Sequence, residues 1–198
     1  MCADGVKARN RTSSYCKQVT PGDRSVYKYF VVALCACLCP LIVSADTPKA
    51  LDSVAKIDDL LSVVKNTGAK VILVNIWGIT CSPCKAEMPV LTQAAERFKE
   101  NPGVAFLGLC IPEEGDAKEK IQTAAAEIVK QRQVSYRNLV WSGSGDALLE
   151  KFKIDGTPYT VLLSAEGKQL AEVKIPLEPS QALEAIKKSI NAALAEKR

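Results

Sequence analysis

Between residues 50 and 196 the hydrophobic positions change rhythm several times. Two continuous or near-continuous apolar runs stand out, Val71–Trp77 (VILVNIW) and Val104–Ile111 (VAFLGLCI), and Arg137–Trp141 (RNLVW) is predicted as a third strand. Short β-branched runs of this kind mark strands buried on both faces. Between and around them the rhythm shifts to every third or fourth residue, which predicts amphipathic helices. One spans about Ser82–Glu100, with Pro83 in its opening turn, where proline is tolerated, and Pro89 inside it as a kink. Another runs from Asp116 to about Gln133, with Glu119 placed to complete a cap and Ile121, Ala124, Ala125, Ile128 and Arg132 on one side. Asp146–Lys153 is a short helix. Ser180 caps a closing helix with Leu183, Ile186, Ile190 and Leu194 on one face. Tyr159–Ser164 and Gln169–Lys174 form a hairpin around Ala165-Glu166-Gly167-Lys168. Leu51–Ile57 is a weak lead-in to a short helix capped by Asp58, with Leu60, Leu61 and Val64 on one side and stopped by Gly68. The alternation β-α-β-α-β-α-β-β-α predicts a three-layer α/β fold, with a mixed sheet because the terminal hairpin must add an antiparallel edge.

Composition changes this picture at the N-terminus. The chain has 198 residues, 47% hydrophobic and 24% charged, with a net charge of +4. That suits one globular domain and excludes disorder as its main character. Residues 1–45 hold six basic and two acidic residues, and the remaining 153 are balanced at 20 of each sign. A neutral domain carries no electrostatic footprint for nucleic acid, so no nucleic-acid partner is expected. Tyr29–Val43 (YFVVALCACLCPLIV) is a 15-residue apolar stretch behind Arg24 and Lys28 and before Val43-Ser44-Ala45. Such a basic flank, apolar core and small-residue exit predict a secretory signal peptide cleaved after Ala45. A retained N-terminal membrane anchor and a lipid on Cys37, in the lipobox-like Leu34-Cys35-Ala36-Cys37, remain alternatives. With no second long apolar run, a multi-pass membrane protein is excluded. The domain organisation is therefore a leader, 1–45, and one domain, 46–198.

Histidine is absent, which removes His-ligated metals, Ser-His and Cys-His catalysis and the usual neutral-pH proton shuttle. Of eight cysteines only Cys81, Cys84 and Cys110 follow the leader. Cys81-Ser82-Pro83-Cys84 stands where a buried strand turns into a helix, and a C-x-x-C there reads as a redox dithiol. A helix start brings residues i and i+3 within disulfide reach, and its unpaired N–H groups stabilise a thiolate on the first cysteine. Cys81 is then the nucleophile and Cys84 the resolving thiol. A zinc knuckle is the bland alternative, and Cys110 is the one further thiolate available to it. Lys85 in place of histidine after Cys84 excludes haem attachment. Cys110 itself reads as a buried structural thiol, with a third redox partner as the sharper idea. Trp141 and Phe152 read as core, and Lys85 as a solvated charge.

The run Val74-Asn75-Ile76-Trp77-Gly78-Ile79-Thr80-Cys81-Ser82-Pro83-Cys84-Lys85-Ala86-Glu87-Met88-Pro89, with Gly156-Thr157-Pro158 before the hairpin, closely resembles thioredoxin-like proteins of the TlpA/ResA type. Those are bacterial extracytoplasmic thiol–disulfide oxidoreductases, often serving cytochrome c maturation. The likeness covers roughly residues 50–196, including the inserted helix. It implies a redox-active Cys81–Cys84 disulfide and a cis Pro158 that, with the Thr157 carbonyl, pairs with an extended substrate. It also implies that Trp77 flanks the site and, with Thr157 and Pro158, helps bind the substrate. Asn75 replaces the buried aspartate of ordinary thioredoxin, and Glu87, one turn beyond Cys84, handles the dithiol's proton. A carboxylate there opposes the helix dipole and makes the disulfide less oxidising, which favours a reductant fed by a membrane electron donor. The expected setting is the periplasm or the outer face of a bacterial inner membrane. Substrates are protein thiols and disulfides. No cofactor or metal is required beyond the dithiol.

Two rivals share parts of this pattern. A thiol peroxidase of the peroxiredoxin kind needs Pro-x-x-x-Thr-x-x-Cys, which surrounds no cysteine here. A Sco-like copper carrier, which is not a catalyst, needs C-x-x-x-C and a distant histidine, and the chain has neither.

Overall fold

The computed structural model describes residues 51–112 and 118–196. The leader, its expected exit at Ala45 and the expected helix start at Asp116 lie outside the described residues, as does the side chain of Glu119. The elements in chain order are β1 (Asp52–Val54), α1 (Ile57–Asn66), β2 (Val71–Gly78), α2 (Ser82–Phe98), β3 (Val104–Ile111), α3 (Lys118–Gln131), β4 (Arg137–Trp141), α4 (Gly145–Phe152), β5 (Tyr159–Ser164), β6 (Gln169–Glu172) and α5 (Pro179–Ala195). They build one six-stranded sheet in the order β1-β4-β3-β2-β5-β6. The strands from β1 to β2 are parallel, and β5 and β6 run antiparallel. The expected mixed α/β architecture is therefore present.

Strand β2 is central, and all eight of its residues are buried. It registers on both sides, Trp77 opposite Cys110 of β3 and Ile76 opposite Tyr159 of β5. Alternation of side chains gives the sheet two apolar faces. Ile72, Val74 and Ile76 join Leu60 and Val64 of α1 and Leu148 and Phe152 of α4 in one core, together with Trp141. Val71 and Leu73 face the other way, against Leu91 and Ala94 of α2 and Ile186 and Ile190 of α5. A third cluster on that second face holds Trp77, Cys84, Met88 and Cys110 with Ile121 and Ala125 of α3. Helix α2 is thus clamped to the sheet along its length while its first turn projects past the end of β2.

Several boundaries correct the sequence reading. The lead-in contains a three-residue strand, β1, pairing with β4 from Asp52 opposite Leu139. Helix α1 begins before Asp58. Lys56 occupies the cap position, and its N–H donates to the Asp59 carboxylate at 3.2 Å, so Asp59 reaches back to do what Asp58 was expected to do. Helix α5 begins at Pro179 with Glu178 at the cap, leaving Ser180 inside the first turn. Arg132 lies beyond α3 and is exposed, because Gln133 turns into the left-handed region at φ 52° and ends that run. The second hairpin strand stops at Glu172, short of Lys174. At the turn, Gly167 takes φ 76°, the conformation that favours glycine, and its N–H donates to Ser164 O at 2.8 Å.

Leu91, 0% exposed, joins α2 to the sheet. Leu91→Ala should lower stability by about 2–5 kcal/mol through lost burial and a residual cavity. Denaturant unfolding of the oxidised protein measures this as a lower midpoint with an unchanged slope.

Candidate functional site

The site forms where β2 ends. After Gly78 the chain leaves the sheet, turns through Cys81 N–H to Gly78 O at 3.3 Å, and enters α2. Cys81 is the N-cap of α2, and its Sγ accepts the backbone N–H of Cys84 at 3.2 Å. Proline at position 83 fits the first turn, where no intrahelical donor is lost. Cys81 and Cys84 form a disulfide with Cα atoms 5.4 Å apart. The two sulfurs differ in environment. Cys81 is partly exposed, whereas Cys84 is 0% exposed, buried in the cluster with Trp77 and Met88. An incoming thiolate can therefore reach Cys81 and is shielded from Cys84. When the bond opens, the helix N-terminus and the Cys84 N–H stand ready for negative charge on Cys81.

Glu87 lies one turn beyond Cys84 and is half-buried, with Oε2 buried and without a hydrogen-bond partner among the described residues. Burial pushes its carboxyl up from the ordinary 4.5 to about 7. At neutral pH this group is divided between acid and anion, so it can give or take a proton where no histidine exists. The same protonation weakens the like-charge repulsion that the sequence suggested, since a neutral carboxyl does not oppose a thiolate. Lys85, read as a solvated charge, is half-buried.

Trp77 belongs to the cluster containing Cys84, with Cys81 packed against it, and is 0% exposed. It therefore offers no surface to a substrate, and its place is among the side chains beneath the dithiol. Asn75 is also 0% exposed, donates Nδ2–H to Thr160 Oγ1 at 3.0 Å, and leaves Oδ1 without a partner among the described residues. Thr157 and Pro158 are half-exposed and joined by a cis peptide bond, immediately before β5. Since Tyr159 registers with Ile76, this segment runs beside the stretch of chain that carries the dithiol. Cys110 is buried in the same cluster as Cys84, outside the disulfide. Among the described residues no group of three or more His, Cys, Asp or Glu could hold a metal ion.

Sequence reasoning missed one part of the site. The loop after β6 brings Ile175, Pro176 and Leu177 against α2, where they line a cavity of about 110 Å³ with Pro83, Ala86 and Glu87. Leu177 is 98% exposed. It lines this cavity with Pro83, in the first turn of α2 between the two cysteines. The only sequence hint was Pro176 and Pro179, which flank an isolated leucine and fix the loop's course.

Comparison with known proteins agrees with this geometry. No family model matches the chain. Curated relatives are ResA thiol-disulfide oxidoreductases. That of Bacillus thuringiensis subsp. konkukian is 27% identical over 125 residues, 63% of this chain and 66% of the relative. That of Bacillus cereus strain ZK is 26% identical over 110 residues, 56% and 58%. The chain thus spans less than two thirds of the length of these curated relatives, 66% and 58%. Among solved structures, a thioredoxin-related protein of Neisseria meningitidis serogroup B superposes with a TM-score of 0.52 at 19% identity, covering 64% of this chain and 87% of that one. A Chlorobium tepidum protein assigned as thiol:disulfide interchange protein DsbE gives a TM-score of 0.50 at 20% identity, covering 66% and 84%. The fold is thioredoxin-like.

The Glu87 environment makes a pH prediction. Between about 4.5 and about 7 the unfolded chain ionises this carboxyl while the folded protein keeps the proton. The folded state then binds more protons, so stability should fall as pH rises through that window. Glu87→Gln should remove this fall, measured as denaturation midpoints at several pH values. A wild-type midpoint that rises across the same window contradicts the assignment.

Proposed function

We propose that this protein is a thiol–disulfide oxidoreductase that exchanges its Cys81/Cys84 dithiol with disulfides of protein substrates. The observation that carries this reading is the asymmetric pair at the start of α2, one sulfur partly exposed and the other 0% exposed, within a thioredoxin-like fold. In the reduced protein the Cys81 thiolate attacks a substrate disulfide. A Cys81–substrate bond forms, the substrate S–S bond breaks, and the released thiolate takes a proton. Cys84, deprotonated as its sulfur attacks, closes the Cys81–Cys84 bond and expels the second substrate sulfur as a thiol. Two electrons and two protons pass to the substrate. Glu87, which is part carboxylate near pH 7, is in that ionised form the proposed acceptor of the Cys84 proton, becoming the carboxylic acid as it takes it.

Thr157 and Pro158 are proposed to pair with the extended substrate backbone, and Leu177 with an apolar side chain near its cysteine. The register of β5, which sets Thr157 and Pro158 beside the end of β2, and the cavity that Leu177 lines together with Pro83 support that assignment. Likeness to the TlpA/ResA type supports the finer reading as well. In it the protein works outside the cytoplasm, as a reductant re-reduced by a membrane dithiol donor, in a role of the cytochrome c maturation kind. Among the described residues no helix is long and apolar enough to cross a membrane. An anchor, if the protein keeps one, is proposed for Tyr29–Val43.

Replacing Cys84 by alanine should trap substrates as mixed disulfides on Cys81, recoverable by non-reducing electrophoresis and identified by mass spectrometry. Capture of nothing while Cys81 still reacts with a small thiol reagent would overturn the reading. Leu177→Ser should cut kcat/KM on a protein disulfide by about 5- to 30-fold, in line with losing about 1–2 kcal/mol of apolar contact. Turnover of a small disulfide should stay unchanged.

A further inference from the structure

The interior beneath the dithiol contains a polar bridge that exchange chemistry alone does not explain. Trp77 on β2 donates its indole Nε1–H to Asn138 Oδ1 of β4 at 3.2 Å, and both side chains are buried. Asn138 Nδ2 in turn donates to Tyr136 O at 3.0 Å. The amide is fixed at both ends, because turning it over would set oxygen against the carbonyl and NH₂ against the indole N–H. Strands β2 and β4 are not neighbours. β3 lies between them, and its residue opposite Asn138 is Gly108. A Cβ on Gly108 would stand 2.6 Å from Asn138 Cγ and overlap Oδ1, so the amide occupies the space that this glycine leaves. The indole so held belongs to the cluster that surrounds Cys84, with Cys81 packed against it.

We propose that Asn138 is a positioning residue for the redox pair: through Trp77 it holds the apolar wall that keeps water from Cys84, and Gly108 is the gap through which it reaches. This rests on the dithiol reading above. Without Asn138 the indole N–H is buried unpaired, and the ring must move towards another acceptor or admit water. A wetter Cys84 ionises more readily, which stabilises the reduced form and makes the disulfide a stronger oxidant. Asn138 therefore keeps the protein on the reducing side.

Equilibration of the full chain with glutathione redox buffers tests this. Asn138→Leu, close in size and unable to hydrogen-bond, should shift the equilibrium constant about tenfold towards the dithiol, or about 30 mV for a two-electron couple. If that variant does not fold, Asn138→Ala carries the same measurement. Trp77→Phe removes the indole donor, and in that background the Asn138 substitution should shift the potential no further. In a Trp141→Phe protein, whose remaining tryptophan is Trp77, substitution of Asn138 should also change the fluorescence difference between oxidised and reduced forms. A merely structural Asn138 would lower the unfolding midpoint and leave the potential in place, and that result overturns the proposal. So does a shift that persists in full with Trp77→Phe. A wild-type protein that fails to equilibrate with glutathione at all sinks the functional reading together with this one.

Discussion

Strand β2 is hydrogen-bonded along both edges and buried on both faces, so it cannot slide without breaking its ladders to β3 and β5 together. A one-residue slip would also turn Val71, Leu73, Asn75 and Trp77 from one core to the other. The register is therefore fixed, and with it the point where the chain is released, at Gly78. Cys81 falls on the first cap position after that release, and Cys84 one turn later against the sheet. Their unequal exposure follows from this placement. The strand also delivers Trp77 to the underside of the pair and sets Pro158 alongside through its partner β5.

The region under the dithiol is not uniformly apolar. Asn75, Thr160 and Asn138 are buried polar side chains in an otherwise hydrocarbon interior, and Glu87 adds a half-buried carboxyl. Each costs stability relative to a well-packed apolar residue unless its hydrogen bonds are satisfied. Asn138 is satisfied at both ends. Asn75 is satisfied at its nitrogen. Glu87 has one buried oxygen lacking a protein partner among the described residues, and its burial holds the proton well above the usual carboxylate range. The partly satisfied groups stand on β2 and α2, the two elements that meet at the sulfurs. That is the arrangement expected where function rather than stability selects the residue.

Long features were legible in the sequence. The β3 and β4 strands read at Val104–Ile111 and Arg137–Trp141 coincide with those found, and in β3 eight residues of sustained apolar character leave little alternative. The dithiol was legible from its spacing at a helix start, and Glu87 from the resemblance of its run to the TlpA/ResA type. What was not legible depends on partners distant in the chain. Strand β1 has only three residues and exists because β4 offers an edge. The caps of α1 and α5 moved because Asp59 and Pro179 serve the helix start better than Asp58 and Ser180. Leu177 looked like any loop leucine until the fold set it beside Pro83. The bridge from Trp77 to Asn138 joins residues 61 apart through a gap that only the sheet order creates.

The two margins of the sheet bear on how such a molecule survives its own occupation. β1 runs for three residues, and β6 for four with Gln169 and Glu172 exposed and Lys168 and Lys174 just outside. Brief, charge-flanked borders make poor templates for annealing a foreign chain. A protein proposed to handle unfolded, cysteine-bearing polypeptides meets sticky extended segments constantly. Truncated borders offer such segments little edge to anneal to along the flank of the sheet.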